Sequence, residues 1–185
     1  MSASSLHASA VDLLTGWTPP DTDQDSVRHT VLAFLAAVPD ACLRASVPGH
    51  ITASAIVFDE TLDNVLLTLH PRVGKWIQLG GHCEPTDTTV VDAATRETRE
   101  ESGLPELSVT GDLVEIHTHP ITCSLGVPTR HLDLRFAAVA AGVRPTPVIS
   151  DESVDLAWWP ITDLPADAER PVIDDLIGRA LARLS

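Results

Sequence analysis

A short segment rich in carboxylates holds the residues best suited to chemistry. It reads "VVDAATRETREESG" from Val90 to Gly103 and contains Glu97, Glu100 and Glu101. In a helix with about 100° between residues, these three glutamates lie within an arc of roughly 100°. Like charges on one face repel each other, and carboxylate oxygens are ligands that Mg²⁺ prefers. The spacing is therefore typical of either a metal-binding face or a solvated acidic face.

Two adjacent glycines shortly before this segment favour the metal-binding interpretation. Gly80 and Gly81 end the apolar run "WIQLGG", and we predict a turn there. Glycine allows the backbone to approach other groups closely, because it has no Cβ. The Gly81 carbonyl is then able to join the carboxylates around a hard cation. His82 follows directly and is a candidate contact for a bound phosphate.

The ends of the acidic helix are predicted from its capping residues. Thr89 and Asp92 fit a capping box at the start, and Gly103 fits the left-handed residue just past the end. The predicted helix is Val90–Ser102. Arg96, four residues after Asp92, is expected to pair with it or with the glutamate four residues further on.

The combined pattern resembles the Nudix box, G-x5-E-x7-R-E-U-x-E-E-x-G-U, in which U is apolar. The string from Arg96 to Leu104 follows its second half, except that Thr98 stands at an apolar position. The first half differs, because Gly81 and Arg96 are fifteen positions apart and the box has fourteen. We interpret this as a one-residue insertion, with Asp87 in the place of the first glutamate.

The resemblance implies a fold, an activity and a cofactor. The expected fold class is α+β, a Nudix-type αβα sandwich with a mixed β-sheet and a helical N-terminal extension. The expected enzyme is a pyrophosphohydrolase that uses Mg²⁺ or Mn²⁺ and cleaves a nucleoside diphosphate linked to another moiety X. Glu97, Glu100, Glu101 and Gly81 would hold the metal. One of the glutamates, or Glu152 from a distant loop, would act as the general base.

The chain is predicted to divide near residue 48. Residues 1–48 have a helical pattern, in which Ser26 is a candidate N-cap before an apolar stripe formed by Val27, Val31, Leu35 and Val38. Later segments, among them "HITASAIVF" and "NVLLTLH", are strand-like. We expect a helical extension over residues 1–48, serving as a cap or a homodimer element, and a Nudix domain over residues 49–185.

Two later segments alternate polar and apolar residues and are predicted to form paired strands. Their polar residues are Glu115, His117 and His119 in one and His131, Asp133 and Arg135 in the other. A period of two puts each set on one face. We expect either an ordinary solvated face or a wall of the substrate cleft, in which Arg135 binds phosphate and His119 and His131 contact substrate.

Further substrate contacts are predicted outside the box. Arg72 lies in a turn before Trp76, where it is a candidate phosphate ligand. Trp76 is expected either to stack on a base or to pack in the core, and packing is favoured. Cys83 is expected to be a small packing residue.

Composition excludes several classes of partner. The net charge of −14 argues against binding to nucleic acid or to anionic membranes, which require basic patches. No apolar run is long enough to span a bilayer, and three cysteines without a C-x-x-C pair indicate reduced thiols in the cytoplasm. Two other functions stay open: a Nudix-fold domain that binds nucleotide sugars without cleaving them, and an interaction module that docks through the N-terminal helices.

Overall fold

The computed structural model describes residues 3–122, 126–150 and 153–185 of the chain. Within these residues the elements follow in the order α1 (Ala3–Gly16), α2 (Thr22–Ala37), β1 (His50–Phe58), β2 (Asn64–Leu69), β3 (Trp76–Ile77), β4 (Leu79–His82), α3 (Val90–Ser102), β5 (Leu107–Thr122), β6 (Pro128–Ala140), β7 (Asp155–Pro160) and α4 (Val172–Leu184).

Strand β1 is the centre of a mixed sheet. It pairs in parallel with β6 along its whole length. On its other edge its first half pairs antiparallel with β4, and its end pairs antiparallel with β2. Strand β5 extends the sheet beyond β6, whereas β3 and β7 both pair with β2. Because β4 and β2 share one edge of β1, the sheet splits there, and β4 presents its glycines beside α3.

Both faces of β1 are buried, which explains why most of its residues are apolar. Ile51, Ala53, Ala55 and Val57 face one core, together with residues of α1, α2 and α3. Ile56 and Phe58 face a second core, which α4 covers. Helices therefore pack on both faces of the sheet, and the predicted αβα sandwich is confirmed.

Helix α3 has the predicted boundaries and caps. Thr89 accepts a hydrogen bond from the Asp92 backbone, and the Asp92 side chain accepts one from the Thr89 backbone, so the capping box is complete. Gly103 closes the helix in the left-handed conformation. A Cβ added to Gly103 would lie 2.6 Å from the Val148 Cβ, so space as well as backbone conformation favours glycine.

The N-terminal helices pack against the same core as the sheet. Leu6, Leu14 and Leu35 belong to the core cluster that includes β1 and α3. The Gln24 side chain both donates to the Ile116 carbonyl, at 3.1 Å, and accepts from the Ile116 backbone N–H, at 2.7 Å. This pair of bonds anchors α2 to β5, the last strand in the path of the sheet. The division of the chain at residue 48 stays a prediction.

The predicted start of α2 at Ser26 is wrong. The helix begins at Thr22, because Asp21, five residues before Ser26, is the N-cap and its side chain accepts from the Gln24 backbone N–H. The earlier start also places Gln24 inside the helix, in reach of β5. In the part of the chain that the structure describes, no helix has the length and apolar character needed to cross a bilayer.

Candidate active site

The acidic face of α3 and the glycines of β4 line one cleft of about 570 Å³. This volume lies within the range of small-molecule sites. The acidic side consists of Glu97, Glu100 and Glu101. The remaining lining is mostly polar and includes the cations Arg44 and Arg72 and the buried anion Asp133, with Gln78, His82, His119, His131, Thr52 and Ser54 as its other main members.

The two glycines bring backbone against the carboxylates of α3. The Gly80 N–H donates to Glu101 Oε2 at 3.0 Å. A Cβ on Gly81 would lie 2.7 Å from Glu97 Oε2, and a Cβ on Gly80, whose φ is +143°, would lie 2.3 Å from Ser54. A side chain at Gly81 would push Glu97 away, and one at Gly80 would collide with β1. The predicted turn is wrong, however, because both glycines lie within β4 and pair with β1.

Arg96 holds the acidic cluster together from one side. Its guanidinium donates to both carboxylate oxygens of Asp87, at 3.1 and 3.0 Å. It also donates to Glu97 at 3.0 Å and to Glu100 at 3.1 Å, and to the His82 carbonyl at 2.9 Å. Asp87, followed by Glu97, raises the pKa of Arg96. The expected pair with Glu100 is present, whereas Asp92 caps the helix instead.

Asp87 is buried beside Arg96 and is absent from the residues that line the cleft. It also accepts from the Glu84 backbone N–H at 2.7 Å. Its position therefore fits a residue that orients Arg96 and, through it, Glu97. Whether it replaces the first glutamate of the Nudix box stays a prediction.

The Asp87→Asn variant should lose stability more than it loses catalytic rate. Removing the charge weakens the bidentate pair with Arg96, at a cost of about 1.5–3 kcal/mol for charge-assisted hydrogen bonds. The melting temperature should fall by roughly 2–4 °C for each kcal/mol. Thermal unfolding and kcat would be measured beside Asp63→Asn, which changes an exposed aspartate. A rate loss as large as that of Glu101→Gln, without a loss of stability, would instead make Asp87 a direct catalytic or metal-binding group.

The polar wall predicted from the two alternating strands exists. Strands β5 and β6 pair antiparallel, with Glu115 opposite Arg135, His117 opposite Asp133 and His119 opposite His131. Strand β1 adds Thr52 and Ser54, whose hydroxyls donate to Asp133 at 2.9 and 2.8 Å. The wall therefore spans three strands.

The prediction that Arg135 faces solvent or ligand is wrong. Its residue is 1% exposed. The guanidinium donates to Asp133 Oδ2 at 2.9 Å, to Glu115 Oε1 at 3.1 Å and to His117 Nδ1 at 3.1 Å. Arg135 is thus part of a buried ion network and is not placed to bind a phosphate.

The network continues to the helices that cover this end of the wall. Arg179 of α4 donates to Glu115 at 2.9 Å and to Asp21, the cap of α2, at 2.9 Å. Burial raises the pKa of Glu115 despite both arginines. Burial acts in the same direction on Asp133, but Arg135 and the two hydroxyls outweigh it and hold the Asp133 pKa below its usual value.

The outer part of the wall is rich in neutral histidines. Burial and nearby positive charges lower the pKa of His82 to about 3 and those of His117 and His131 to about 4. Burial also lowers the His119 pKa. These rings are therefore uncharged near neutral pH, so each has one nitrogen lone pair that is able to accept a hydrogen bond or bind a metal.

Most of the predicted site residues converge on this cleft. They are Gly81, Glu97, Glu100, Glu101, Arg72, His82, His119 and His131. Glu152 lies outside the described residues. Trp76 is buried and packs edge-on against Trp159, so the packing interpretation is correct. Cys83 is also buried in the core.

Some cleft residues were not singled out from the sequence. Arg44 follows α2 in a turn, and Thr52 and Ser54 lie in a strand whose sequence is otherwise mainly apolar. For Thr52 and Ser54 the sequence did offer a signal, because they are polar residues two positions apart within a mainly apolar strand. Arg44 has no comparable local signal, because only the path of the chain brings it to the cleft.

The acidic side of the cleft has the donor set of a hard divalent cation. Three carboxylates share one helix face, and two of them meet the glycine backbone at close range. Oxygen ligands of this type suit Mg²⁺ or Mn²⁺ better than softer metals. The residues present therefore fit such an ion.

Comparison with known proteins agrees with this geometry. The family model of the NUDIX domain matches residues 48–178, and no curated protein sequence matches the chain significantly. A NUDIX-family hydrolase from Clostridium perfringens is 25% identical, with a TM-score of 0.55, and the alignment covers 74% of this chain and 98% of that one.

Two other solved structures share the fold at lower identity. A C. elegans Ap4A hydrolase in a binary complex is 21% identical, with a TM-score of 0.55, over 72% of this chain and 96% of that one. The E. coli dihydroneopterin triphosphate pyrophosphohydrolase is 19% identical, with a TM-score of 0.57. The alignment covers 72% of this chain and 95% of that one. Together with the match to the NUDIX domain, the box and the cleft show that this chain belongs to the Nudix hydrolase family.

Proposed function

We propose that this chain hydrolyses the pyrophosphate bond of a nucleoside diphosphate linked to another moiety X, with Mg²⁺ or Mn²⁺. The observation that carries the proposal is one cleft with two kinds of lining. Carboxylates of α3 lie beside the glycines of β4, and Arg44 and Arg72 line the same cleft. A diphosphate with a bound divalent ion requires both kinds of group.

The cation would be held by Glu97, Glu100 and Glu101, with the Gly81 carbonyl as a further ligand. A divalent ion in such a site neutralises phosphate charge and lowers the pKa of a bound water. Arg96 holds Glu97 and Glu100 by hydrogen bonds and so limits the freedom of these carboxylates. Either a box glutamate or Glu152 is proposed to accept the proton of the attacking water.

The remaining groups of the cleft are proposed to bind the substrate. Arg72 suits a phosphate, because a guanidinium binds phosphate oxygens bidentately. His82, His119 and His131 line the same cleft and are neutral, so they are suited to hydrogen bonds with phosphate or sugar oxygens. We further propose a cytoplasmic enzyme in which residues 1–48 form a cap or a homodimer element.

The identity of X is best approached with a panel of small nucleotides. The solved neighbours named above include hydrolases of Ap4A and of dihydroneopterin triphosphate. These two compounds belong in the panel with nucleoside triphosphates, ADP-ribose, dinucleotide cofactors, coenzyme A and nucleotide sugars. Released phosphate and nucleotide would be measured for each compound with Mg²⁺ and with Mn²⁺.

Metal removal should abolish this activity, and metal addition should stabilise the fold. Excess EDTA is expected to stop hydrolysis, and Mg²⁺ should restore it. An ion that binds only the folded state adds about 2.7 kcal/mol of stability at 100 times its Kd. A rise in melting temperature on addition of Mg²⁺ without substrate would reveal this effect.

Two results would contradict the proposal in different ways. Undiminished hydrolysis in EDTA would exclude the metal-dependent reaction. Binding of a nucleotide sugar without turnover of any compound in the panel would favour the alternative, a Nudix-fold binding or regulatory domain. The three retained carboxylates support the enzyme, because a binding domain has no need of a metal-loaded acidic face.

A further inference from the structure

Three histidines on adjacent strands form a compact group at the edge of the cleft. They are His82 on β4, His50 on β1 and His131 on β6. Their ring centroids are 5.1 Å apart for His50 and His82, 4.9 Å for His50 and His131, and 5.0 Å for His82 and His131. One candidate ligand nitrogen from each ring lies within 4.8 Å of the other two.

The sheet register determines this grouping. His50 and His131 are direct partners in the parallel pair of β1 and β6. His82 is the partner of Thr52, which lies on the same face of β1 two residues beyond His50. Side chains at such positions point to one side of the sheet. The three rings are therefore presented together by rigid backbone rather than by loops.

In two of these rings, one nitrogen has no hydrogen-bond partner among the described residues. His50 Nδ1 lies 3.2 Å from the Ser46 carbonyl, which only accepts, so Nδ1 carries the proton and Nε2 carries the lone pair. His50 is 1% exposed, and the Nε2 atoms of His50 and His131 are buried without a hydrogen-bond partner. Buried polar atoms are rarely left unpaired, which points to a missing ligand.

We propose that His50, His82 and His131 bind a divalent transition-metal ion of the Zn²⁺ class. Imidazole nitrogen suits Zn²⁺ and its neighbours, whereas Mg²⁺ prefers oxygen. A histidine that donates its second nitrogen to a backbone carbonyl, as His50 does to Ser46, has the usual arrangement of a metal ligand. Tetrahedral Zn²⁺ requires nitrogens about 3.4 Å apart, so ring rotations that move them by roughly an ångström complete the site.

The surrounding charges act on the ion in both directions, and Arg72 adds to the positive charge near His82. Arg44 lies close enough to lower the pKa values of all three rings and disfavours a cation. The Asp133 carboxylate acts in the opposite direction on His131. His82 and His131 also line the cleft, so a fourth coordination position would face it. That position is open to water or to an oxygen of a bound substrate.

This site is separate from the carboxylate site in its ligand chemistry. The two adjoin, since His82 follows Gly81 in the chain, but the histidine group offers nitrogen ligands and the face of α3 offers oxygen ligands. The inference does not require the proposed hydrolase activity. Its test therefore measures metal binding directly.

The experiment is a titration of metal-free full-length protein with Zn²⁺, and separately with Co²⁺, whose visible spectrum reports nitrogen ligands and geometry. We expect one tightly bound ion per chain. His131→Phe and His82→Phe keep the ring packing but remove the lone pair. Loss of a mere supporting hydrogen bond costs 10–100-fold in metal affinity, so loss of a ligand should raise Kd at least about 100-fold.

Matched controls separate this site from others. His29→Ala removes an exposed histidine of α2 and should leave Zn²⁺ binding unchanged. The double variant Glu97→Gln with Glu101→Gln should retain the Zn²⁺ site while it loses the effect of Mg²⁺ on the melting temperature. Circular dichroism of each metal-free variant would establish that it is folded, and two histidine positions are tested in case one variant fails to fold.

Several results would overturn the proposal. One is the absence of a bound Zn²⁺ or Co²⁺ ion in the wild-type protein. Another is binding that persists unchanged in both histidine variants. A third is binding that disappears in the glutamate double variant, because the ion would then belong to the carboxylates.

Discussion

Glu101→Gln and Glu100→Gln should each lower the rate of hydrolysis at least about 100-fold while the protein stays folded. Several kcal/mol of transition-state stabilisation are expected from the metal, and each 1.4 kcal/mol corresponds to a factor of ten. The glutamine oxygen at position 101 is still able to accept the hydrogen bond from the Gly80 N–H. The protein should therefore still fold, while the proposed metal site loses the negative charge of one carboxylate.

The measurements are kcat, KM and the melting temperature with and without Mg²⁺. Each glutamine variant should show a smaller rise in melting temperature on addition of Mg²⁺ than the wild type. Glu106→Gln is the matched control, since Glu106 is exposed and does not line the cleft. If both variants keep more than about half of the wild-type activity, the acidic face of α3 is an ordinary solvated surface.

Arg135→Ala should be the most destabilising single change predicted here. It would remove the arginine that pairs with the buried carboxylates of Asp133 and Glu115, and Glu115 would keep its pair with Arg179. Removing one partner of a buried ion pair lowers the free energy of unfolding by about 3–5 kcal/mol. At roughly 2–4 °C for each kcal/mol in a chain of this size, the melting temperature should fall by about 6–20 °C.

A partly exposed arginine, Arg28, provides the comparison for this effect. Arg28→Ala removes an ion pair with Asp25, whose side chain is 45% exposed, and such pairs contribute about 1 kcal/mol or less. Chemical denaturation of both variants and the wild type would measure the difference. An Arg135→Ala protein with a normal melting temperature and a raised KM would return Arg135 to the list of substrate contacts.

The local features of α3 were predictable because their causes are local. A capping box involves residues three apart, and a left-handed cap requires a glycine, so Thr89, Asp92 and Gly103 determine both ends of the helix. Helical geometry alone also places Glu97, Glu100 and Glu101 on one face. The alternation in β5 and β6 likewise predicted the polar wall, since a strand has a fixed period of two.

The errors arose where distant parts of the chain compete for the same groups. The segment "DTDQDS" offers several residues able to cap α2. The helix begins after Asp21, and Gln24 is then in place to bond with Ile116 of β5. The sequence also cannot show that Gly80 and Gly81 belong to a strand, because that depends on the pairing of β4 with β1.

The sequence by itself determined the acidic helix, its caps, the glycine pair and the strand faces, because each follows from spacing along the chain. The tertiary structure decided how deeply each side chain is buried and which residues it contacts. Period two assigns Arg135 to a polar face, but Arg179 of α4 and Asp21 of α2 join its network and cover that end of the wall. His50, His82 and His131 meet only through strand register, since 81 positions separate the first from the last.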